Sequence, residues 1–142
     1  MVDKICELPS GYKPSEMEEF MSDLQREYFR RRLLAWKKDI LLGAQAAIKH
    51  LQEEGEAYTD VADKACTEAE LAYELKSKDR ARKLIGKIES ALLKIENGTY
   101  GYCEETGEPI SLKRLEARPI ATLSVEAQER HEKQERTQKD EE

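Results

Sequence analysis

The amino-acid sequence predicts a mostly all-α fold: a long antiparallel coiled-coil hairpin, a small globular lobe and a C-terminal helix. No proline occurs between Ser15 and Glu108, and Leu34, Leu41 and Ile48 recur at the seven-residue step of a helical seam. Charged residues make up 38% of the 142 residues with both signs interleaved, which is typical of long solvated helices. A large spherical core is therefore not expected.

The helical region is predicted to span residues 16–96, after an N-terminal segment of residues 1–15. Ser15 comes just before a cluster of glutamates, so we expect it to cap a helix that begins at Glu16. The Asn97-Gly98 pair predicts the end of the second arm, because both residues tolerate a left-handed conformation. Gly43 and Gly86 permit either a close helix contact or a slight bend.

The break between the two arms, residues 58–65, carries two carboxylates, Asp60 and Asp63. Since a helix rises about 1.5 Å per residue, arms of this length can hold such a tip several nanometres from the rest of the chain. Paired carboxylates can chelate Mg²⁺, act in acid-base catalysis or bind basic groups of a partner, and their spacing does not choose among these roles. Capping of the return helix by Asp63, with Asp60 as a turn former, is compatible with each of them.

The lobe is predicted at residues 97–123 and the C-terminal helix at 124–142. Glycines and prolines punctuate the lobe, and Ser124 is a suitable N-cap for the last helix. Beyond Thr137 we expect that helix to fray. The lobe holds the apolar side chains that would form its core: Tyr100, Tyr102, Ile110, Leu112, Leu115, Ile120 and Leu123.

Composition and charge exclude several classes of function. A net charge of −6 argues against direct nucleic-acid binding, and a protein partner is favoured. There is no apolar run long enough for a bilayer and no signal-peptide core, so no membrane association and a cytoplasmic location are expected. His50 and His131 are isolated and no phosphate-binding loop occurs, so the chain is not expected to be an enzyme.

Five segments resemble the DksA family of bacterial transcription regulators, and together they cover nearly the whole chain: Tyr-Lys-Pro at 12–14, Asp-Val-Ala-Asp-Lys-Ala at 60–65, Lys-Asp-Arg-Ala-Arg-Lys-Leu-Ile at 78–85, Gly-Tyr-Cys at 101–103 and Arg-Leu-Glu-Ala-Arg-Pro at 114–119. The resemblance implies a monomer that inserts its coiled coil into the secondary channel of RNA polymerase. It places the tip residues Asp60, Asp63 and Ala65 near the catalytic centre, and Arg80 at the polymerase rim.

The same resemblance implies that the alarmone ppGpp acts as an effector at the interface with polymerase. Lys87 and Arg118 match the basic contacts and Leu84 an apolar neighbour, whereas Gln128 stands where family members usually have lysine. Without the resemblance, Lys87 and Arg118 would be interpreted as surface charges. The basic run from Lys76 to Lys83 is equally consistent with a solvated face and with a docking surface.

Most DksA-like proteins bind zinc through C-x2-C-x17-C-x2-C, but the four positions here are Cys103, Thr106, Ser124 and Ala127. A structural zinc site needs four donors, and alanine offers none. We therefore predict no bound metal, a lobe held by packing, and an ordinary thiol at Cys103. Two rival functions remain: a transcript-cleavage factor of the Gre type, with Mg²⁺ at the tip, and a helical adaptor for another coiled coil.

Overall fold

The computed structural model describes residues 5–55 and 61–141, with backbone alone at 51–55, 61–67 and 141. It contains four helices: α1 Asp23–Gly55, α2 Val61–Asn97, α3 Leu112–Ala117 and α4 Val125–Glu141. In the described ranges the β structure is limited to one isolated antiparallel bridge between Tyr102 and Pro109. The predicted mostly helical fold is confirmed. None of the helices described is long and apolar enough to cross a membrane.

The chain divides into two compact units. The hairpin unit, Leu34–Glu89, contains most of both long helices. The globular unit comprises the residues up to Leu33 and from Ser90 onward.

The start of α1 differs from the prediction, because the helix begins at Asp23 and not at Glu16. Ser15 instead forms a turn, in which its hydroxyl accepts the Met17 N–H at 3.2 Å. The cap is Ser22, whose hydroxyl accepts the Gln25 N–H at 3.4 Å. The fully buried Gln25 side chain donates to the Ser15 carbonyl at 3.1 Å and accepts the Met21 N–H at 2.8 Å. These contacts hold residues 15–22 as a loop against the first turn of the helix.

The second arm largely follows the prediction. It starts at Val61, so Asp63 lies inside the first turn of α2 and is not its N-cap. It ends at Asn97, where Gly98 has a φ of 79°. The Thr99 N–H donates to the Lys94 carbonyl at 2.9 Å and the Gly98 N–H to the Ile95 carbonyl at 3.3 Å. This pair of bonds is a Schellman motif, which satisfies carbonyls that the helix leaves free.

In the hairpin unit, the predicted stripe faces the partner helix only in part, through Ala44 and Ile48. Leu34 and Leu41 remain 37% and 44% exposed, whereas Ile40 and Ala44 on α1 and Ala81 on α2 are better covered. Apolar residues at adjacent positions made the choice of stripe ambiguous in the sequence, because either could face the partner helix. A Cβ built on Gly43 or Gly86 would meet nothing within 4 Å, so the close-contact interpretation of these glycines was wrong.

The globular unit has a core of aromatic and aliphatic side chains. The Phe29 and Tyr100 rings lie 5.6 Å apart between centroids, and the lobe contributes the further predicted residues Ile110, Leu112, Leu115 and Ile120, all buried. Tyr102 is 37% exposed and belongs to the rim. The last helix begins after Ser124, as predicted, and extends to Glu141.

Candidate functional site

The loop from Cys103 to Glu108, called the knuckle loop below, is closed by backbone hydrogen bonds. Its backbone closes on itself, since the Cys103 N–H donates to the Glu108 carbonyl at 2.8 Å and the Gly107 N–H to the Cys103 carbonyl at 2.9 Å. Gly107 has a φ of 73°, which a side chain would disfavour. The Glu104 N–H donates to the Thr122 carbonyl at 2.9 Å and so joins this loop to the segment before α4.

Three of the four positions of the degenerate zinc motif, Cys103, Thr106 and Ser124, come together at the Cys103 sulfur. This thiol is 3% exposed. Burial raises its pKa, but hydrogen bonds from the Thr106 hydroxyl and from the backbone N–H groups of Ser124, Thr106 and Glu105 outweigh burial and lower the pKa to about 6. Backbone and hydroxyl hydrogen-bond donors therefore stabilise the Cys103 thiolate, as a bound metal cation would.

The other two positions serve α4 and the core. The Ser124 hydroxyl accepts the Ala127 N–H at 3.3 Å, which is the N-cap bond of the helix. Ala127 is fully buried, and its methyl group offers no donor to a metal. One thiol, two hydroxyls and a methyl group do not fit zinc. Among the described residues, no cluster of three or more His, Cys, Asp or Glu could hold a metal ion.

Side-chain contacts fasten the lobe to the rest of the globular unit. The buried Tyr100 hydroxyl donates to the Pro119 carbonyl at 2.7 Å, and burial raises the pKa of this tyrosine. Arg114 Nε donates to the Leu123 carbonyl at 2.9 Å. Lys94, in the last turn of α2, forms an ion pair with Glu104. These contacts span α2, α3 and the knuckle loop.

A buried ion cluster that the sequence analysis missed lies in the first part of α1. The Glu27 carboxylate is fully buried and accepts hydrogen bonds from Arg30 at 2.7 Å, from Arg31 at 2.9 Å and from the Ile5 N–H at 3.0 Å. Bonding to Arg30 lowers the pKa of Glu27 to about 2 although burial opposes it. The spacing of Glu27, Arg30 and Arg31 at i, i+3 and i+4 was the available signal.

The candidate contact residues on α2 belong to the hairpin unit. Arg80 and Lys87 are exposed and Leu84 is half-buried. Leu84 and Lys87 are three residues apart and so lie on the same side of the helix. Lys76, Arg80, Lys83 and Lys87 recur at steps of three and four residues, which places four exposed cations on one stripe.

Arg118 belongs to the globular unit. It is exposed at the C-terminal end of α3, and its N–H donates to the Arg114 carbonyl at 2.7 Å. Gln128, in the first turn of α4, donates to the Glu132 carboxylate at 3.2 Å.

The tip residues fall at the edge of what the structure describes. Asp60 lies outside the described residues. Asp63 and Ala65 lie in the first turns of α2, where the backbone alone is described. The role expected for these three residues comes from the family motif that they match in the sequence.

Comparisons with known proteins define the class. The profile of the DnaK suppressor protein DksA N-terminal domain matches residues 25–95, and that of the prokaryotic dksA/traR C4-type zinc finger matches residues 98–133. The molecule is thus a helical hairpin joined to a finger of the dksA/traR type that lacks three of its four cysteines.

Individual relatives agree with this class. The chain is 59% identical over 131 residues to the RNA polymerase-binding transcription factor DksA of Caulobacter vibrioides, which covers 92% of each chain. It is 41% identical to the protein of the same name from Escherichia coli K12, over 81% of this chain and 76% of that one. The structure of transcription factor DksA2 from Pseudomonas aeruginosa superposes with a TM-score of 0.76 at 40% identity, covering 82% of this chain and 90% of that one. This chain belongs to the DksA family.

Proposed function

We propose that this chain regulates transcription in the cytoplasm by binding RNA polymerase, without catalysing a reaction of its own. The observation that carries the proposal is the 59% identity, over 92% of both chains, to a relative named an RNA polymerase-binding transcription factor. The matched span includes most of both units, so hairpin and lobe are expected to act together. A monomer that does not read DNA sequence is consistent with the net charge of −6.

The proposed mechanism delivers negative charge through the secondary channel to the neighbourhood of the polymerase active centre. Asp60 and Asp63 are the proposed effectors, with Ala65 as a neighbouring contact. Carboxylates placed among basic groups form charge-assisted hydrogen bonds, which are stronger in a confined site than in open water. Such contacts would change the relative stability of promoter complexes, and this is sufficient for regulation.

The basic stripe of α2 is proposed as the surface that holds the hairpin at the polymerase rim. Arg80 lies near the middle of the four exposed cations. A row of like charges on a net acidic chain is complementary to an acidic surface and would speed association at low salt. The tip would then supply regulation while this surface and the globular unit supply most of the binding.

Response to ppGpp is proposed to depend on Lys87, Leu84 and Arg118. Ammonium and guanidinium groups suit the phosphates of this ligand, and Leu84 offers an apolar neighbour. Gln128 carries no charge, so the effector site is expected to be weaker than in relatives with lysine there. The lobe is proposed to work without zinc, because its donors stabilise the Cys103 thiolate and Ala127 packs in the core.

The proposal is tested by binding and open-complex lifetimes on purified polymerase with the double variant Asp60→Asn, Asp63→Asn. Asp39→Asn is the matched control, since Asp39 is an exposed carboxylate on α1. We expect the tip variant to bind within a small factor of wild type and to lose its effect on lifetime. Equal loss of binding and regulation would refute the proposal that the tip regulates while other surfaces supply most of the binding. A tip variant that still regulates would favour the adaptor function.

The same preparation distinguishes the cleavage-factor alternative. Incubated with a backtracked elongation complex and Mg²⁺, the wild-type protein is expected to leave the RNA 3′ end intact. Release of a short 3′ fragment that the tip variant fails to produce would instead assign the carboxylates to a second Mg²⁺, as in two-metal hydrolysis.

A further inference from the structure

A groove of about 580 Å³ lies between α1 and α2 within the hairpin unit. From α1 it is lined by Ile40, Gly43, Ala44, Ala47 and Ile48, and from α2 by Tyr73, Glu74, Leu75, Ser77, Lys78 and Ala81. Its size falls within the range of small-molecule sites, roughly 300 to 1,000 Å³. The lining is mainly apolar with a few polar groups, which is also typical of such sites.

Small side chains create the space. Gly43, Ala44 and Ala47 on α1 face Ser77 and Ala81 on α2, where an ordinary coiled coil would place Leu or Ile from both helices. A Cβ on Gly43 would still meet nothing within 4 Å. Unfilled apolar surface of this extent costs stability, so an apolar group that enters the groove gains binding energy.

One lining residue, Glu74, presents a carboxylate oxygen that lacks a donor. Oε2 of Glu74 is shielded from solvent and has no hydrogen-bond partner among the residues that the structure describes. Lys78, one turn further along α2, also lines the groove, but no ion pair joins it to Glu74 in the described part of the hairpin. A buried carboxylate oxygen without a donor is costly, and a ligand that donates to it recovers that cost.

We propose that this groove binds a small organic cation, namely a primary ammonium group attached to an apolar body. The ammonium donates to Glu74 while the body fills the space beside Ala44 and Ala47. Coulombic attraction to the Glu74 carboxylate favours the cation over a neutral molecule of the same shape. The groove shares no lining residue with the tip or the basic stripe, so the proposal stands independently of the proposed function.

Isothermal titration calorimetry with the full-length protein tests the proposal. The probes are 4-phenylbutylamine, which is protonated at pH 7, and its neutral counterpart 4-phenylbutan-1-ol. We expect the amine to bind wild type more tightly than the alcohol. Glu74→Gln should weaken binding of the amine by about tenfold, or about 1.4 kcal/mol, because the neutral amide can still accept a hydrogen bond but has lost the charge; it should change binding of the alcohol less than about twofold. The control Glu70→Gln alters an exposed carboxylate one turn earlier and should change neither.

Filling the groove supplies a second, independent measurement. Ala47→Leu should abolish binding of both probes, and Ala44→Leu replaces it if circular dichroism shows that the first variant loses helix. Binding of the amine and alcohol with equal affinity would overturn the charge preference. Unchanged affinity of the probes for Ala47→Leu or Ala44→Leu would show that they do not bind in this groove. Absence of binding of either probe to wild type would refute the proposed site.

Discussion

Replacing Glu27 by Gln removes the charge at the centre of the buried ion cluster while nearly preserving its volume. The carboxylate is fully buried, and Arg30 beside it is only 7% exposed. Lowering of the Glu27 pKa from 4.5 to about 2 corresponds to on the order of 3 kcal/mol of stability at neutral pH. Because the variant removes the charge that Arg30 and Arg31 contact, we expect the free energy of unfolding to fall by about 3 kcal/mol.

Urea unfolding followed by circular dichroism at 222 nm measures this loss. Glu129→Gln, an exposed carboxylate on α4, is the matched control and should change stability by less than about 0.5 kcal/mol. The pH dependence gives a second check. A carboxyl whose folded pKa is lowered contributes fully above its unfolded pKa, near 4.5, and loses that contribution as pH falls towards 2.

The difference between wild type and Glu27→Gln should therefore be largest at neutral pH and shrink as the pH falls from about 4.5 towards 2. Similar stability of the two proteins at pH 7 would refute the claim that the buried ion cluster stabilises the fold. A difference that stayed constant down to pH 2 would refute the electrostatic origin of the effect.

Three further predictions concern the lobe and the helix ends. In urea unfolding, Gly98→Ala should lower the free energy of unfolding by roughly 1 kcal/mol because Gly98 has a positive φ. Gly86→Ala, inside a helix with open space around it, should raise that free energy by up to about 1 kcal/mol. Equal effects of the two substitutions would contradict this prediction. In a variant with Cys6 and Cys66 replaced by Ser, the absorbance of the Cys103 thiolate at 240 nm should rise with a midpoint near pH 6. Adding Thr106→Val should move that midpoint to higher pH, because the hydroxyl donor is lost. A midpoint near pH 9 in the first variant would contradict the stabilisation of the thiolate by these donors. A strong zinc chelator should leave the helical signal unchanged, since the donors do not fit the metal; loss of signal would contradict a metal-independent lobe.

Much of the helical architecture followed from local signals in the sequence. The end of α2 is fixed by Gly98 and the start of α4 by Ser124, and both signals act within one helical turn. The start of α1 was not predictable in this way. Ser15 and Ser22 both resemble caps, and the choice depends on the buried Gln25 side chain and its bonds to Met21 and Ser15.

The candidate site was predictable only in part. The loss of zinc ligands could be read directly from Thr106, Ser124 and Ala127, but their new roles as donor, cap and core methyl needed coordinates. The groove beside Glu74 was not foreseen, because a heptad pattern identifies the helices without deciding which stripe faces the partner.

The decisive measurement is output from a ribosomal RNA promoter transcribed by purified polymerase with and without ppGpp. We expect the wild-type protein to lower this output without added zinc and ppGpp to lower it further. Output that is the same with and without the protein, at concentrations where binding to polymerase is saturated, would refute the proposed regulation.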